Sequence, residues 1–408
     1  MRNRWVICSL LFAGATINYV DRQVLAVLKP TLQAELGWSE VGYGHIVTAF
    51  QAAYAVGMLL VGRFIDRVGA RAGLAATAAF WALATMAHAA ARGVLGFSAA
   101  RAALGLGEAG LFPAGGKAIA EHFPQRERSL AMGLLNAGTN VGPIACPLLA
   151  PWLVSTVGWR GTFVAMGALA LAWIAPWRAV CPPPRPDPRP AGERELWGWR
   201  RLLAHREAWA IALAKLITDP VWWLYLFWIP DFLHRAHGLD LRHLGPPLVA
   251  IYALSFFGGI AGGGLSSRLL RRGWSPNAAR KTAMLVAAVA VLPILRLGAA
   301  RGTSLWTAVG ILGLAVGAHQ AFSANLLTLP SDLFPLPSVA SMMGLGGMGG
   351  AIGGIVIAQT AGHILELTGS YHALFVMAAA AYFVALGLLH ALSPRLAPVA
   401  RAAAEAAA

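Results

Sequence analysis

Four ionisable residues lie inside stretches of this sequence that are otherwise apolar. Asp21 and Arg22 are adjacent in a run that begins near Trp5, and Arg101 and Glu108 lie in another run. Arginine stays charged and presents a fork that fits a carboxylate, so Arg22 and Arg101 are candidates to hold an organic anion. A buried carboxyl group favours its protonated form, whereas a nearby arginine favours the ionised form. Asp21 and Glu108 can therefore switch between carrying a proton and pairing with an arginine.

The composition places these residues in a lipid bilayer. Of the 408 residues, 58% are hydrophobic and 12% are charged, whereas a soluble domain carries about 25% charged residues. Many apolar runs are about twenty residues long, which is the length of a helix that crosses a bilayer. They predict an all-α integral membrane protein with twelve transmembrane helices at 5–28, 43–63, 72–91, 97–119, 131–154, 161–180, 209–232, 246–268, 281–298, 304–327, 338–363 and 371–392.

The four ionisable residues are predicted to lie at overlapping depths in the membrane. Asp21 and Arg22 precede Lys29, the predicted outer end of the first span, by roughly 12 Å of helix. The fourth span runs the opposite way, and Arg101 and Glu108 share one face of it. The alternative is a pair of salt bridges that only hold the two spans together. Ionisable groups inside a membrane commonly mark transport routes, which favours the functional interpretation. Which acid pairs with which arginine stays open.

The stretch from Cys181 to Arg206 divides the twelve spans into six and six. It begins with "CPPPRPDPRP", and these prolines prevent a continuous helix. We predict an N-terminal six-helix bundle at 1–180, a cytoplasmic linker at 181–208, a C-terminal six-helix bundle at 209–394 and a C-terminal tail at 395–408.

The basic residues gather in alternate loops, and the positive-inside rule assigns those loops to the cytoplasm. An even number of spans then places both termini inside, with an uncleaved first span in the plasma membrane. The formal net charge of +15 would suggest nucleic acid for a soluble protein. In a membrane protein it indicates orientation and contact with anionic lipid, so no nucleic acid partner is expected.

Two short cytoplasmic loops have similar sequences. The loop after the second span reads "GRFIDRVGAR" (62–71), and the loop after the eighth reads "GGGLSSRLLRRG" (262–273). Both are basic and begin with glycine, and this weak internal symmetry predicts two paired six-helix halves. The first copy has Asp66 at the position where the second has Ser266.

The first loop resembles the signature of the major facilitator superfamily through Gly62, Asp66, Arg67, Gly69 and Arg71. The stretches "NYVDRQVL", "RAALGLGEAGLFPAGGKAIAEHFP", "DPVWWLYLFWIP" and "AHQAFSANLLTLPSDLFP" resemble its anion:cation symporter branch, most closely the hexuronate and aldonate permeases. The resemblance implies the fold of that superfamily, a monomer in a bacterial inner membrane, and proton-coupled import of a sugar acid by alternating access. In those permeases the matching acids and arginines are credited with the roles given above.

The signature loop is predicted to gate the cytoplasmic side. Asp66 can pair with a base of a neighbouring span, or with the N-terminal dipole of a helix. Either contact would stabilise the state that is closed to the cytoplasm. Because the second copy has Ser266, this latch is expected to rest on the first copy alone. The run "GLGGMGGAIGG" (344–354) predicts a very close approach of helices, or a bend that gates.

Seven uncharged polar residues are candidates to bind the hydroxyl groups of a sugar acid. Tyr19 shares a helix face with Arg22, and Tyr54 lies midway along the second span. The others lie in "NAGTNVGP" of the fifth span and "HQAFSAN" of the tenth: Thr139, Asn140, Gln320, Ser323 and Asn325. Each could instead form an interhelical hydrogen bond.

Asp219 and Pro220 interrupt the seventh span, and Trp222 and Trp223 follow them. Proline kinks a helix and frees a backbone carbonyl. This pattern fits a hinge beside a cavity whose aromatic rings pack on a sugar, and it fits a packed kink equally well. His319 is expected to be a packed histidine rather than the proton carrier.

The leading hypothesis is secondary transport, with protons and a small organic anion as the transported species. Anion exchange, uniport and a membrane sensor that binds without transporting are the alternatives. The sequence has no metal-ligand cluster, nucleophile–base arrangement or nucleotide motif, so neither an enzyme nor a cofactor is expected. Cys8, Cys146 and Cys181 are far apart, which gives no disulfide framework and no metal spacing.

Overall fold

A computed structural model describes residues 3–38, 40–183, 196–239, 245–299 and 302–399. The regular structure in these ranges is helical, with no strand among them. The α-helices are α1 (Asn3–Leu36), α2 (Glu40–Val68), α3 (Ala70–Ala87), α4 (Val94–Glu108), α5 (Leu111–His122), α6 (Gln125–Val180), α7 (Trp199–Leu203), α8 (Arg206–His237), α9 (Gly245–Arg271), α10 (Pro276–Val291), α11 (Leu295–Ala299), α12 (Leu305–Leu326), α13 (Leu329–Leu333), α14 (Val339–Thr368) and α15 (His372–Leu392). Short 3-10 turns lie at His88–Ala90, Leu292–Ile294 and Leu336–Ser338.

These helices reproduce the twelve predicted spans, although several spans consist of two pieces. α4 and α5 together form the fourth span, α10 and α11 the ninth, and α12 and α13 the tenth. α6 supplies the fifth and sixth spans, which meet at Gly158, where φ is 70°. Within the described ranges, nine helices are long and apolar enough to cross a membrane. α1 and the α4–α5 pair are not among these nine, and they carry the four ionisable residues.

The turn between α2 and α3 depends on Gly69. Its φ of 83° lies in a region that residues with a side chain rarely adopt. The amide of Gly69 still donates to the carbonyl oxygen of Ile65 at 2.8 Å, which ends α2 with a hydrogen bond. The loop signature therefore needs glycine at position 69 for its backbone conformation, which lets α3 begin at the next residue.

The chain forms two compact units. Unit 1 consists of Met1–His122, Gly138–Trp197 and Pro335–Met348, and so contains α1 to α5, most of α6 and the start of α14. Unit 2 consists of Phe123–Ala137, Gly198–Phe334 and Gly349–Ala408. The predicted division at residues 180 and 209 stays a prediction. The proline-rich part of the predicted linker (184–195) and most of the predicted tail (400–408) lie outside the described residues.

The glycine run of α14 makes the close helix approach that the sequence predicted. In unit 1, Gly344 lies against the backbone of Met58 on α2. In unit 2, a Cβ at Gly349 would lie 2.7 Å from the carbonyl oxygen of Ala212 on α8. A side chain at either position would force the helices apart, so the glycines are required by packing.

Candidate functional site

The first observation at the site is an ion pair between α1 and α4 in unit 1. Arg22 Nε lies 2.9 Å from Glu108 Oε2. The Glu108 side chain is fully buried, and 11% of the Arg22 side chain is exposed. The pairing that the sequence left open is therefore Arg22 with Glu108. A charge-assisted hydrogen bond of this length is among the stronger side-chain contacts in a protein interior.

Three aromatic rings surround the Arg22 guanidinium. Its Cζ lies 4.5 Å from the centroid of Tyr19, 5.0 Å from that of Phe50 and 4.9 Å from that of Tyr54. The face of an aromatic ring attracts a cation at these distances. Tyr19 and Tyr54, which were predicted to help bind substrate, thus lie beside the arginine that was predicted to hold the anion. Phe50 was missed, although it precedes Tyr54 by one helical turn on the same face.

Arg101 is the second cation of the site, and no carboxylate pairs with it among the described residues. Its Nη2 donates to the backbone oxygen of Arg22 at 3.0 Å, and its Cζ lies 5.5 Å from the centroid of Phe50. The residue is 5% exposed, and its buried Nε has no hydrogen-bond partner in the described ranges. A buried arginine held chiefly by one carbonyl retains most of its capacity to bind an anion.

Asp21 occupies the most isolated position of the four. It is 1% exposed, and neither carboxyl oxygen has a hydrogen-bond partner within the described structure. Thr85 and Trp81 of α3 lie near the carboxyl group, whose charged neighbours are Glu108 and Arg101. An ionised carboxylate without hydrogen bonds is far more costly to bury than the neutral acid.

Two glycines of α4 set the depth of the ionisable residues. A Cβ at Gly105 would lie 2.5 Å from the carbonyl oxygen of Phe50 on α2, and one at Gly107 would lie 2.7 Å from the amide nitrogen of Trp81 on α3. α4 is therefore in backbone contact with both neighbours. This contact fixes Arg101 and Glu108, which lie one turn or less on either side of the glycines.

The remaining predicted substrate residues fall in both units. Thr139 and Asn140 are buried in unit 1, on the part of α6 where Gly142 packs against Tyr19. Gln320, Ser323 and Asn325 are buried in unit 2, on α12.

Asn325 uses its side chain in contacts within unit 2. Its Nδ2 donates to the carbonyl oxygen of Gly262 at 3.1 Å, and its Oδ1 accepts from Ser129 Oγ at 3.0 Å. Gln320 accepts a hydrogen bond from Asn136 through its side-chain oxygen. Interhelical hydrogen bonding, the alternative raised for these residues, is thus observed for both.

Asp66 of the signature loop makes both of the contacts predicted for it. Its Oδ1 lies 2.8 Å from Lys117 Nζ of α5. It also accepts from the backbone amides of Ala340 at 3.1 Å and Ser341 at 2.6 Å, at the first turn of α14. All of these residues belong to unit 1. Lys117 was missed, although a lysine inside the apolar stretch "FPAGGKAIA" required a partner.

The other loop residues have separate roles in the packing. Gly62 lies against the backbone of Ala340, where a Cβ would be 2.6 Å from the carbonyl oxygen. Arg71 Nη2 donates to the carbonyl oxygen of Arg178 at 2.6 Å. Arg67 is exposed.

Unit 2 contains a buried charge cluster that was not predicted. Arg280 Nε lies 3.0 Å from Asp332 Oδ2, and Arg280 Nη1 donates to Ser266 Oγ at 2.6 Å. Arg128 Nη1 lies 3.7 Å from Asp332 Oδ1. The second loop has Ser266 where the first has Asp66, and Asp332 of α13 provides the carboxylate instead. The similarity of the two loops could not reveal this, because Asp332 is distant in sequence.

α8 carries another ion pair that was missed. Lys215 Nζ lies 2.7 Å from Asp219 Oδ2, one helical turn apart. Asp219 packs against Gly350 of α14, and Trp222 stacks on His319 with centroids 5.7 Å apart. His319 Nδ1 also shares a hydrogen bond with the hydroxyl of Tyr382 at 2.9 Å. His319 is packed, as expected.

Comparison with known proteins decides the family. The model of the Major Facilitator Superfamily matches residues 11–358. The chain belongs to this superfamily. The superfamily is one of transporters, so the chain is a transporter and not an enzyme, as the sequence predicted.

Curated relatives agree with this membership, and a solved structure agrees with the fold. The hexuronate transporter of Escherichia coli (strain K12) is 31% identical over 383 residues, covering 90% of this chain and 88% of the relative. The probable galactarate/D-glucarate transporter GudP of Bacillus subtilis (strain 168) is 28% identical over 412 residues, covering 92% and 89%. The crystal structure of the human organic anion transporter MFSD10 matches with a TM-score of 0.77 at 16% identity, covering 95% of this chain and 99% of that one.

These matches confirm several predictions. The all-α membrane fold of twelve helices in two six-helix halves is confirmed, and so is the resemblance to sugar acid permeases. The chain is therefore a multi-pass membrane transporter homologous to sugar acid permeases.

The Asp66 contacts predict an asymmetry between two variants. Lys117→Met leaves a buried carboxylate without its cation, and we expect it to lower the free energy of unfolding by about 3–5 kcal/mol. Asp66→Asn combined with Lys117→Met removes both charges and is expected to be less destabilising than Lys117→Met alone. Thermal unfolding in detergent measures both, with the exposed Arg296→Met as a control expected to stay within about 0.5 kcal/mol. A double variant no more stable than Lys117→Met would contradict the buried ion pair.

Proposed function

We propose that this transporter imports a small organic anion, of the sugar acid class, together with a proton by alternating access. The observation that carries the proposal is Arg101, a buried cation without a paired carboxylate in the described structure, beside the Arg22–Glu108 pair. An uncompensated charge in a membrane interior is costly. When one of the two acids is protonated, a bound organic anion would neutralise this charge.

Charge balance in unit 1 supports coupling. With Asp21, Arg22, Arg101 and Glu108 all ionised, the cluster is neutral. A proton alone leaves one excess positive charge, and an anion alone leaves one excess negative charge. Both singly loaded states bury a net charge and are disfavoured, whereas the state with one proton and one anion is neutral again. A monovalent acid and one proton therefore bind together more readily than either binds alone.

Each residue has a role that follows from its contacts. Asp21 is assigned the coupling proton, because its carboxyl group is buried beside that of Glu108. Glu108 holds Arg22 while it is ionised, and protonation of Glu108 would free the Arg22 fork for the substrate carboxylate. Tyr19 and Tyr54 line the Arg22 guanidinium and would present hydroxyl groups to the sugar. Thr139, Asn140, Gln320, Ser323 and Asn325 stay candidates to bind the substrate hydroxyls.

Alternating access requires a contact that can form and break, and Asp66 offers one. Its carboxylate joins Lys117 of α5 to the first turn of α14. Opening this contact would loosen α14 from α2, which it also contacts at Gly62, Gly344 and Gly347. We infer that Gly62, Asp66, Arg67, Gly69 and Arg71 form the cytoplasmic gate. From the basic loops we infer that both termini lie in the cytoplasm of a bacterial cell, and family analogy favours a monomer.

Similarity to curated relatives supports the substrate class. One relative is a hexuronate transporter, and another is a probable galactarate/D-glucarate transporter. Their named substrates are sugar acids, and a carboxylate fits the two arginines of the site.

Uptake into proteoliposomes tests the function directly. A panel of labelled hexuronates and aldonates, with the corresponding neutral sugars, is offered with and without an inward proton gradient. We expect accumulation of at least one acid only with the gradient, and no accumulation of neutral sugars. Uptake that ignores the gradient would contradict proton coupling and indicate exchange or uniport. Binding without any uptake by folded protein would indicate a sensor.

The two acids predict a separation of coupling from binding. Asp21→Asn and Glu108→Gln each remove one proton site, so we expect both to abolish gradient-driven accumulation. At least one should retain counterflow, because counterflow needs substrate binding but no net proton movement. Glu366→Gln, at an exposed acid, is the matched control and should accumulate substrate normally. Normal accumulation by both Asp21→Asn and Glu108→Gln would remove the two acids from the coupling mechanism.

A lysine in place of Arg101 is predicted to bind the substrate less well, although both side chains are positively charged. Arg101→Lys keeps the charge but replaces a bidentate fork by a single ammonium group, so the KM for the acid should rise roughly tenfold. Arg296→Lys, at an exposed position of α11, should leave the KM unchanged. An unaltered KM in Arg101→Lys would show that Arg101 does not contact the substrate.

A further inference from the structure

The C-terminal half of α9 carries a groove next to three arginines. The groove has a volume of about 760 Å³ and is lined by Ala261, Gly264, Leu265, Arg268, Arg271 and Arg272. These residues recur at the three- and four-residue spacing of one helix face. All of them belong to unit 2. None takes part in the transport mechanism proposed above.

The opposite faces of α9 are fully used in packing. Gly258 and Gly262 lie against α12, at Gly317 and Ala321. Gly263 lies against Ser129 of α6. The face with the groove is therefore the less covered face of α9 within unit 2, with Leu130 of α6 at its border beside Gly264.

The groove interrupts a stripe of large apolar side chains. Phe257 is 63% exposed, one turn before Ala261 on the same face. Ala261 and Gly264 then present almost no side chain, and Leu265 lines the groove beside them before Arg268. From Phe257 to Arg268 the helix rises roughly 16 Å. The result is an apolar notch, bounded by an aromatic ring at one end and by cations at the other.

The three arginines are free to bind an external anion. All are exposed, and across the described residues none has a hydrogen bond or an ion pair from its side chain. By contrast, Arg280 nearby in unit 2 is bound to Asp332. Trp274 follows the arginines and is 45% exposed, as is typical of tryptophan at the boundary between lipid and water. The cations therefore lie at the depth of phospholipid headgroups.

We propose that this groove is a specific binding site for an anionic phospholipid. The phosphate is held by Arg268, Arg271 and Arg272, and an acyl chain occupies the notch over Ala261 and Gly264. Arginine binds phosphate through paired hydrogen bonds, and basic clusters at the ends of transmembrane helices attract anionic lipids. The charge and the shape of the groove thus select the same ligand. A zwitterionic lipid offers a phosphate too, but it also carries a cationic group that the three arginines repel, so it should bind more weakly.

Native mass spectrometry of the full chain tests the proposal. Purified protein is titrated with phosphatidylglycerol, and separately with phosphatidylcholine of the same acyl chains. Arg268→Gln/Arg271→Gln/Arg272→Gln is compared with Arg200→Gln/Arg201→Gln/Arg395→Gln, which removes the same charge at exposed positions elsewhere. We expect one tightly bound phosphatidylglycerol in the wild type and in the second triple variant. The first triple variant should bind it about tenfold or more weakly.

A further variant and a soluble competitor separate lipid from phosphate. Gly264→Leu fills the notch and keeps all three arginines, so it should weaken phosphatidylglycerol binding several-fold. Glycerophosphate should compete poorly, because it has no acyl chain. Equal binding of both lipids, equal losses in the two triple variants, an unaffected Gly264→Leu, or full competition by glycerophosphate would each overturn the proposal. Gly264→Leu and the competitor remain decisive if the first triple variant does not fold.

Discussion

The ion pair between Arg22 and Glu108 is the constraint on which the rest of unit 1 depends. Two opposite charges in a membrane interior are tolerable only while they remain in contact. The contact at 2.9 Å therefore requires α1 and α4 to keep one separation and one register. The three aromatic rings around Arg22 attract its guanidinium through cation–π contacts. The same pair that restricts the fold also holds an arginine where a carboxylate could replace Glu108.

The register of α4 is supplied by residues with no functional group. Gly105 and Gly107 bring α4 into backbone contact with α2 and α3. A larger residue at either position would move Arg101 and Glu108 together, because both are on the same short helix. Precision at the charged site thus comes from the absence of side chains a few residues away.

The sequence predicted whatever depends on local pattern. The twelve spans follow from apolar runs, and the contacts of Asp66 follow from an acid placed where a helix end or a base must meet it. The ionisable residues of α1 and α4 were also evident, because charges stand out in apolar stretches. Tyr19 was placed by its spacing from Arg22 on one helix.

Contacts between distant segments could not be read in this way. Spacing alone left the partner of Glu108 open, and it gave no sign that Asp332 supplies the acid beside Ser266. Each unit also includes a segment from the other half of the chain. Residues 335–348 belong to unit 1, and residues 123–137 belong to unit 2. Such exchanges arise from tertiary packing, for which a single sequence carries no periodic signal.

The way in which Asp66 binds α14 has a consequence for how mutations are tolerated. The carboxylate accepts hydrogen bonds from the backbone amides of residues 340 and 341, and every residue except proline provides such an amide. One partner of the contact is therefore restricted in its side chain, while the hydrogen bonds of the other do not depend on its side chain. A substitution at the buried positions 340 and 341 that the packing accepts would leave these hydrogen bonds intact, and a proline would remove one without changing any charge. Loss of Asp66 itself leaves both amides without this acceptor, so a compensating substitution has to supply a new acceptor at the N-terminus of α14.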